Sequence, residues 1–135
     1  MSVCYIAANK ILDNNLGATA NTSPANYYVG LSTTTIVIGG TGATEPSGGS
    51  YARVAIANNK TTFTTAASGV LTNDITITFT ESTGAWGTIT YVFLADALSG
   101  GNIYFFEALP APKTVQTATT VVFAATAMSF SMTNA

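Results

Sequence analysis

Two adjacent glycines, Gly48 and Gly49 in the segment EPSGGSYARVAI, are the first place where the sequence could hold chemistry. A glycine-rich loop binds phosphate through its backbone amides when it follows a strand and opens a helix, often with a lysine nearby. Here the glycines precede an alternating apolar run, and the segment contains no lysine. The pattern therefore predicts a corner in a sheet and not a phosphate-binding loop.

Acidic residues are the second candidates, because paired carboxylates carry out glycoside hydrolysis. The candidates are Asp74, Glu81, Asp96 and Glu107. Each also fits a structural position at a strand start, a turn, a hairpin entry or the outer face of a strand. The chain has no histidine, so neither Cys4 nor any serine has an imidazole to activate it as a nucleophile. We therefore expect no enzyme, no catalytic residue, no metal site and no cofactor.

Aromatic side chains are the third candidates, because a platform of rings can bind sugars in a receptor-binding module. The set comprises Tyr27, Tyr28, Trp86, Tyr91, Phe93, Tyr104, Phe105 and Phe106. Most of these residues lie in alternating segments, where core packing and subunit contact are the commoner roles. If the protein binds a host receptor, we expect Trp86 in the segment TGAWGT to make the contact.

The composition indicates which partners the protein can have. Only 7% of the residues are charged and the formal net charge is -2, whereas ordinary soluble domains carry about 25% charged residues. A surface so poor in charge suits a subunit that lies against other subunits. The basic residues Lys10, Arg53, Lys60 and Lys113 are scattered, which argues against nucleic-acid binding.

The sequence shows no pattern of a membrane span, a signal peptide or an internal disulfide. No apolar run approaches the roughly 20 residues of a membrane span, and the opening MSVCYIAANK does not have the pattern of a signal peptide. A lone cysteine, Cys4, cannot form an internal disulfide. We therefore expect no membrane partner and synthesis in the cytoplasm of a host cell.

The elements that must position these residues are mostly strands. The first segment predicts the one helix, over residues 2–17, with Ser2 as N-cap and Gly17 in a left-handed turn at its end. Strands are predicted at residues 26–32, 51–57 and 74–80 from alternating polarity. In the last of these, Ile75, Ile77 and Phe79 are expected to point inward.

The second half of the chain predicts a hairpin and further strands. WGTITYVFLADALSGGNIYFFEAL reads as two strands joined around DALSGG, since Gly100 and Gly101 can adopt the positive backbone angles of a tight turn. YVFLA is apolar on both sides and therefore predicts a central strand. Pro110 and Pro112 predict a corner, and one or two strands close the chain.

These elements predict a mainly β fold, an antiparallel β-sandwich or barrel with one short N-terminal helix. We expect a single domain over residues 1–135, with a helix or arm at 1–17 and a β domain at 26–132. The expected contacts with other subunits are on the helix and the first strand or on the loop of residues 39–50. The side chains predicted at this interface are Tyr5, Ile6, Ile11, Leu12, Tyr27 and Tyr28.

Three segments together resemble a known family. NKILDNNLGATANTSPANYYVGLST, EPSGGSYARVAI and GAWGTITYVFLADALSGGNIYFFEALPAPKTV follow one another, between about Asn9 and Val115, in the order and spacing of small virion proteins of tailed bacteriophages. Members are often labelled tail-fibre proteins, and the fold resembles that of capsid decoration proteins. The family's Gly-Asp turn after PKTV is replaced here by QTATTVVF, which leaves the pairing of the strands after Val115 open.

The resemblance implies a structural, non-enzymatic virion protein. As a capsid decoration (cement) protein it would bind the major capsid protein and copies of itself, in a small symmetric cluster such as a trimer on the capsid surface. As a tail-fibre or tail-tip protein it would bind a host-surface receptor. The single short domain and the charge-poor surface favour decoration, with the tail role as the alternative.

Overall fold

The computed structural model describes residues 1–132, which form one helix and nine strands. In chain order they are β1 (Ser2–Val3), α1 (Tyr5–Leu16), β2 (Asn26–Ser32), β3 (Val54–Ala57), β4 (Val70–Thr72), β5 (Ile77–Thr78), β6 (Gly87–Ala95), β7 (Ile103–Val115), β8 (Val122–Phe123) and β9 (Ser129–Ser131). The main sheet is antiparallel, with five strands in the order β1-β7-β6-β2-β3. Two smaller antiparallel sheets pair β4 with β9 and β5 with β8. The predicted fold class is therefore confirmed.

Two apolar clusters cover the two faces of the main sheet. Because side chains alternate along a strand, Val92 and Leu94 of β6 lie in the larger cluster, together with residues of β5 and β9. Phe93 and Ala95 lie in the smaller cluster, together with Cys4 at the start of α1. β6 is thus a central strand buried on both faces, as its apolar sequence predicts.

The predicted helix begins later than expected. Ser2 is not its N-cap, because Ser2 pairs with Phe106 of β7 and so belongs to a strand. Cys4 occupies the N-cap position and its side chain makes no capping hydrogen bond. At the other end Gly17 has φ -118°, and Ala18, with φ 51°, is the residue in the left-handed region. Pairing with β7, about a hundred residues away, decides where the helix starts.

Residues 74–80 show how burial and strand pairing can differ. Ile77 and Phe79 are buried, while the threonines between and after them are exposed, so the predicted alternation is confirmed for these residues. Only Ile77–Thr78 forms a ladder, with β8. The predicted strand at 51–57 is likewise shortened to Val54–Ala57.

The long strand β7 carries a bulge at its two prolines. Its pairing with β6 passes from Tyr91↔Ala108 directly to Ile89↔Lys113, so residues 109–112 bulge out. The predicted corner is therefore wrong, because the strand continues on both sides of the prolines. Beyond Phe106 this strand has no neighbour on its outer side among the paired strands described, since β1 is only two residues long. Prolines are tolerated at such an edge because they lack an amide N–H to donate.

Candidate interaction surfaces

The glycine pair at 48–49 forms a turn, as predicted. Gly48 and Gly49 have φ 75° and 57°, and β3 follows instead of a helix. A Cβ at Gly49 would lie 2.8 Å from the carbonyl oxygen of Gly84 and 3.0 Å from Nε1 of Trp86. This turn therefore requires glycine both for its backbone angles and for its close approach to the indole.

Trp86 packs against this turn and is hydrogen-bonded to it. It is only 3% exposed, its Nε1–H donates to the carbonyl oxygen of Gly49 at 2.8 Å, and its ring meets that of Tyr51 edge-on at 5.3 Å. A side chain enclosed in this way is not available to a receptor. The predicted receptor contact at Trp86 is therefore corrected: the residue belongs to the core and holds the glycine turn.

A buried ion pair connects this region to the main hairpin. Arg53 donates from Nε to Oε1 of Glu45 at 3.0 Å and from Nη2 to Oε2 at 2.8 Å. Its Nη1 donates to the carbonyl oxygens of Ala97 and Gly100 at 2.6 and 2.9 Å, and its guanidinium lies 5.0 Å from the ring centre of Phe93. Arg53 thus ties the 45–53 segment to the β6–β7 turn.

The same pair sets the ionisation of Glu45. Burial by itself raises the pKa of the Glu45 carboxyl, but hydrogen bonds from Arg53 and Tyr51 and the charge of Arg53 outweigh it, so the pKa is lowered. The Tyr51 hydroxyl donates to Glu45 Oε1 at 2.7 Å. Sequence reasoning counted Arg53 only as a scattered cation. The available signal was an arginine inside an alternating apolar strand, where a charge needs a partner.

The other titratable candidates occupy separate places. Asp96 accepts hydrogen bonds from the backbone N–H and the Nδ2 of Asn102 at 2.7 and 3.0 Å. Burial by itself raises the pKa of Asp96, but hydrogen bonds from Asn102 and the backbone and the charge of Lys10 outweigh it, so the pKa is lowered. Burial raises the pKa of the Cys4 thiol. Within residues 1–132 no three histidine, cysteine or acidic side chains lie close enough together to hold a metal ion.

One side of α1 carries apolar side chains that face solvent. Tyr5, Leu12 and Leu16 are 58%, 53% and 83% exposed, and their spacing of seven and four residues places them on one face of a helix. We call these three residues the outer helix face. Ile6 is also exposed and Ile11 is half-buried, so the structure leaves most of the predicted helix contacts accessible.

The inner side of α1 is held against the main sheet. Ala7 is buried, and the Lys10 ammonium donates a hydrogen bond to the Tyr104 hydroxyl while lying 5.0 Å from the centre of the same ring. Cys4 at the start of the helix belongs to the smaller apolar cluster. The outer helix face therefore points away from the sheet and from the body of the protein.

An open groove lies beside the larger apolar cluster. It has a volume of about 360 Å3, within the range of roughly 300–1,000 Å3 that is common for sites that bind small groups. Its lining consists of Tyr27, Asn58, Asn59, Lys60, Phe63, Leu71, Leu94, Phe105 and Phe130. We call it the aromatic groove.

The floor of the aromatic groove is rigidly packed. The Phe130 ring meets Phe63 edge-on at 5.7 Å and Phe105 edge-on at 5.3 Å, a preferred arrangement of aromatic pairs. Tyr27 at its side is half-buried and contacts Tyr104 edge-on at 5.4 Å. Burial, with smaller contributions from Tyr104 and Asp96, raises the pKa of Tyr27 to about 12. Tyr27 therefore keeps its proton at neutral pH.

The rim of the groove is polar and ordered by its own hydrogen bonds. Asn59 Oδ1 accepts from the backbone N–H groups of Thr61 and Thr62 at 2.9 and 3.0 Å. Asn58 Nδ2 donates to the carbonyl oxygen of Pro24 at 2.9 Å. Lys60 is the one charged side chain among the described residues that line the groove. An apolar floor with a polar rim is typical of a protein contact site.

The predicted interface residues thus lie on more than one surface. Tyr5, Ile6 and Leu12 are on α1, Tyr27 is at the side of the groove, and Tyr28 is half-buried on β2. Sequence reasoning missed the groove itself, because Phe130 lies far along the chain from Phe63 and Leu71 and meets them only when β9 pairs with β4.

A small β-rich fold with apolar side chains exposed on its helix is typical of a subunit of a larger assembly. α1, the one helix in residues 1–132, is too short to cross a membrane. A family model described as podophage GP4 fiber I protein gp80 matches residues 2–131 of the chain. No curated protein matches the chain. The chain therefore belongs to this family of phage virion proteins, which confirms the resemblance seen in the sequence.

Proposed function

We propose that the protein is a non-enzymatic structural subunit of a fibre on a podophage virion. The observation that carries this proposal is the match to the fiber I family over residues 2–131, which includes every strand and the helix. The sequence favoured capsid decoration over a tail role. The proposal prefers the fibre role instead, because the family description refers to a fibre and not to a capsid.

Association with other protein subunits is part of this proposal. The charge-poor composition weakens electrostatic repulsion between copies, and the outer helix face leaves three large apolar side chains in water. Burying such side chains stabilises a complex through the hydrophobic effect. We expect copies of the same chain to be among the partners, as the sequence analysis predicted.

Host-receptor contact, if the fibre makes it, must involve residues other than Trp86. That side chain is enclosed by Tyr51 and the glycine turn. Exposed surfaces of the protein include the outer helix face, the rim of the groove and the β6–β7 turn.

Capsid decoration is the second candidate function. It is favoured by the presence of two separate apolar surfaces, the outer helix face and the aromatic groove, since a cement protein stabilises a shell by contacting more than one neighbouring subunit. In that role the major capsid protein would be a partner, and the protein would lie on the capsid surface.

The two roles are separated by locating the protein in intact virions, by electron cryo-microscopy or with gold-labelled antibody. The fibre proposal predicts signal on projections at the tail. Signal spread over the whole head would overturn it in favour of decoration, and absence of the protein from purified virions would overturn both.

A further inference from the structure

The outer helix face and the aromatic groove are separate surfaces that share no residue. The helix begins directly after Cys4, which belongs to the smaller apolar cluster, whereas Phe63 and Phe130 of the groove belong to the larger cluster. One copy of the protein therefore carries both an exposed apolar ridge and an open apolar groove.

The two surfaces are complementary in shape and polarity. Leu16, at 83% exposure, is the most exposed of the large apolar side chains, and Leu12 lies one turn before it. The groove offers an aromatic floor and about 360 Å3 of space. A protruding apolar side chain in such a pocket, shielded by a polar rim, is the usual form of an energetically dominant contact.

Charge also matches between the two surfaces. Lys60 at the rim is positive, and Asp13, exposed on α1 between Leu12 and Leu16 in the sequence, is negative. Opposite charges around an apolar contact favour one orientation and one partner over others.

We propose that the outer helix face of one copy docks into the aromatic groove of the next copy. The inference rests on the proposed function, in which the protein is a subunit that assembles with copies of itself, and it identifies the two surfaces that meet. Because the surfaces differ, each copy uses its helix on one neighbour and its groove on another.

This arrangement has a geometric consequence. A contact between two different surfaces is heterologous, so it builds a closed ring if the rotation between copies closes and an open filament if it does not. A trimer of the kind predicted from the sequence is one such ring. A contact of α1 with α1 would instead be isologous and would stop at a dimer.

The test uses a helix variant and a groove variant of the purified chain, Leu16→Asp and Leu71→Asp, measured by sedimentation. We expect the wild type to form oligomers and each variant alone to associate on the order of 10- to 100-fold more weakly, the loss expected for burying an aspartate where a leucine belongs. Mixed together, the intact groove of the first variant binds the intact helix of the second. The mixture should therefore form a one-to-one pair and nothing larger.

A charge exchange provides a second route that leaves the apolar side chains untouched. Lys60→Glu and Asp13→Lys should each weaken association, and combining both in one chain should restore it. This pair keeps the proposal testable if Leu71→Asp fails to fold, because both residues are exposed.

The matched control is Leu98→Asp, in the β6–β7 turn. Leu98 is 58% exposed and lies outside both surfaces, so this variant should associate like the wild type. Circular dichroism of every variant establishes that it is folded.

Three results would overturn the docking proposal. They are a wild-type chain that remains monomeric at millimolar concentration, a groove variant that self-associates normally, as helix-to-helix contact requires, and a mixture that forms no pair. None of these results bears on where the protein lies in the virion. Conversely, signal on the head in intact virions would refute the fibre role while leaving the docking surfaces to be judged by sedimentation alone.

Discussion

Replacing Arg53 by methionine is the perturbation for which the structure makes the sharpest prediction. Methionine keeps much of the length and apolar volume of arginine but removes its charge and its donors. Glu45 then loses both guanidinium hydrogen bonds, and the Ala97 and Gly100 carbonyl oxygens lose theirs.

The size of the expected loss in stability follows from the burial of Arg53 and Glu45. The side chain of Arg53 is 6% exposed and that of Glu45 is 28% exposed. Breaking a fully buried pair by removing one partner costs about 3–5 kcal/mol, and the partial exposure of Glu45 lets water replace some of what is lost. We therefore expect Arg53→Met to lower the free energy of unfolding by about 3 kcal/mol, at the lower end of that range.

The assay is denaturant unfolding at neutral pH, followed by tryptophan fluorescence. Lys113→Met is the matched control, because Lys113 is exposed and the charge change is the same; it should alter stability by less than about 0.5 kcal/mol. Arg53→Lys should fall between the two, since lysine keeps the charge but cannot bind a carboxylate with two parallel hydrogen bonds.

A double-mutant cycle isolates the interaction itself. With Glu45→Gln already in place, Arg53→Met should cost at least about 1 kcal/mol less than it does in the wild type. The reasoning is refuted if Arg53→Met destabilises the protein no more than Lys113→Met does, or if the two substitutions are additive.

Three further predictions follow from the same contacts. Because the folded-state pKa of Glu45 lies below its ordinary 4.5, its contribution to stability is present above that pH and is lost as the pH falls through the folded value; Glu45→Gln should flatten this part of a stability–pH curve. Gly30→Ala should cost about 1–3 kcal/mol by overpacking, since a Cβ there would overlap the Phe93 ring, whereas Gly39→Ala, with open space around its Cβ, should cost far less. Trp86→Phe removes the N–H donated to the glycine turn and should cost about 1–3 kcal/mol in chemical denaturation.

Each of these predictions has an outcome that contradicts it. If the stability of the Glu45→Gln variant falls with decreasing pH as steeply as that of the wild type, another carboxyl controls acid unfolding. Equal effects of the two glycine substitutions would mean that contact with Phe93 does not constrain residue 30. A Trp86→Phe variant as stable as the wild type would remove the indole hydrogen bond as a support of the turn.

Local alternation was enough to predict most of the strands. The segment YVFLA is apolar at every position and became the central strand β6, and Gly100 and Gly101 adopt the positive φ angles expected of the hairpin turn. These predictions succeed because the alternation of side chains and the backbone freedom of glycine are properties of neighbouring residues.

The candidate surfaces were only partly predictable. Tyr5 and Leu12, which were predicted at an interface, are exposed, but the groove was not predicted, and Trp86, the residue expected to contact a receptor if there is one, is buried. Whether an aromatic ring is buried depends on which segments pack over it, and Tyr51 and the glycine turn cover Trp86 from elsewhere in the chain.

The sequence by itself therefore determined the mainly β class, the hairpin, the central strand and the charge-poor composition of a subunit. The tertiary structure alone decided that Ser2 joins β7, that Arg53 pairs with Glu45, and that Phe63 and Phe130 meet in one groove. The physical reason is the range of the interactions. Strand patterning is read over a few neighbouring residues, whereas burial, the contacts of Arg53 with the β6–β7 turn and a shared groove depend on segments that folding brings together from distant parts of the chain.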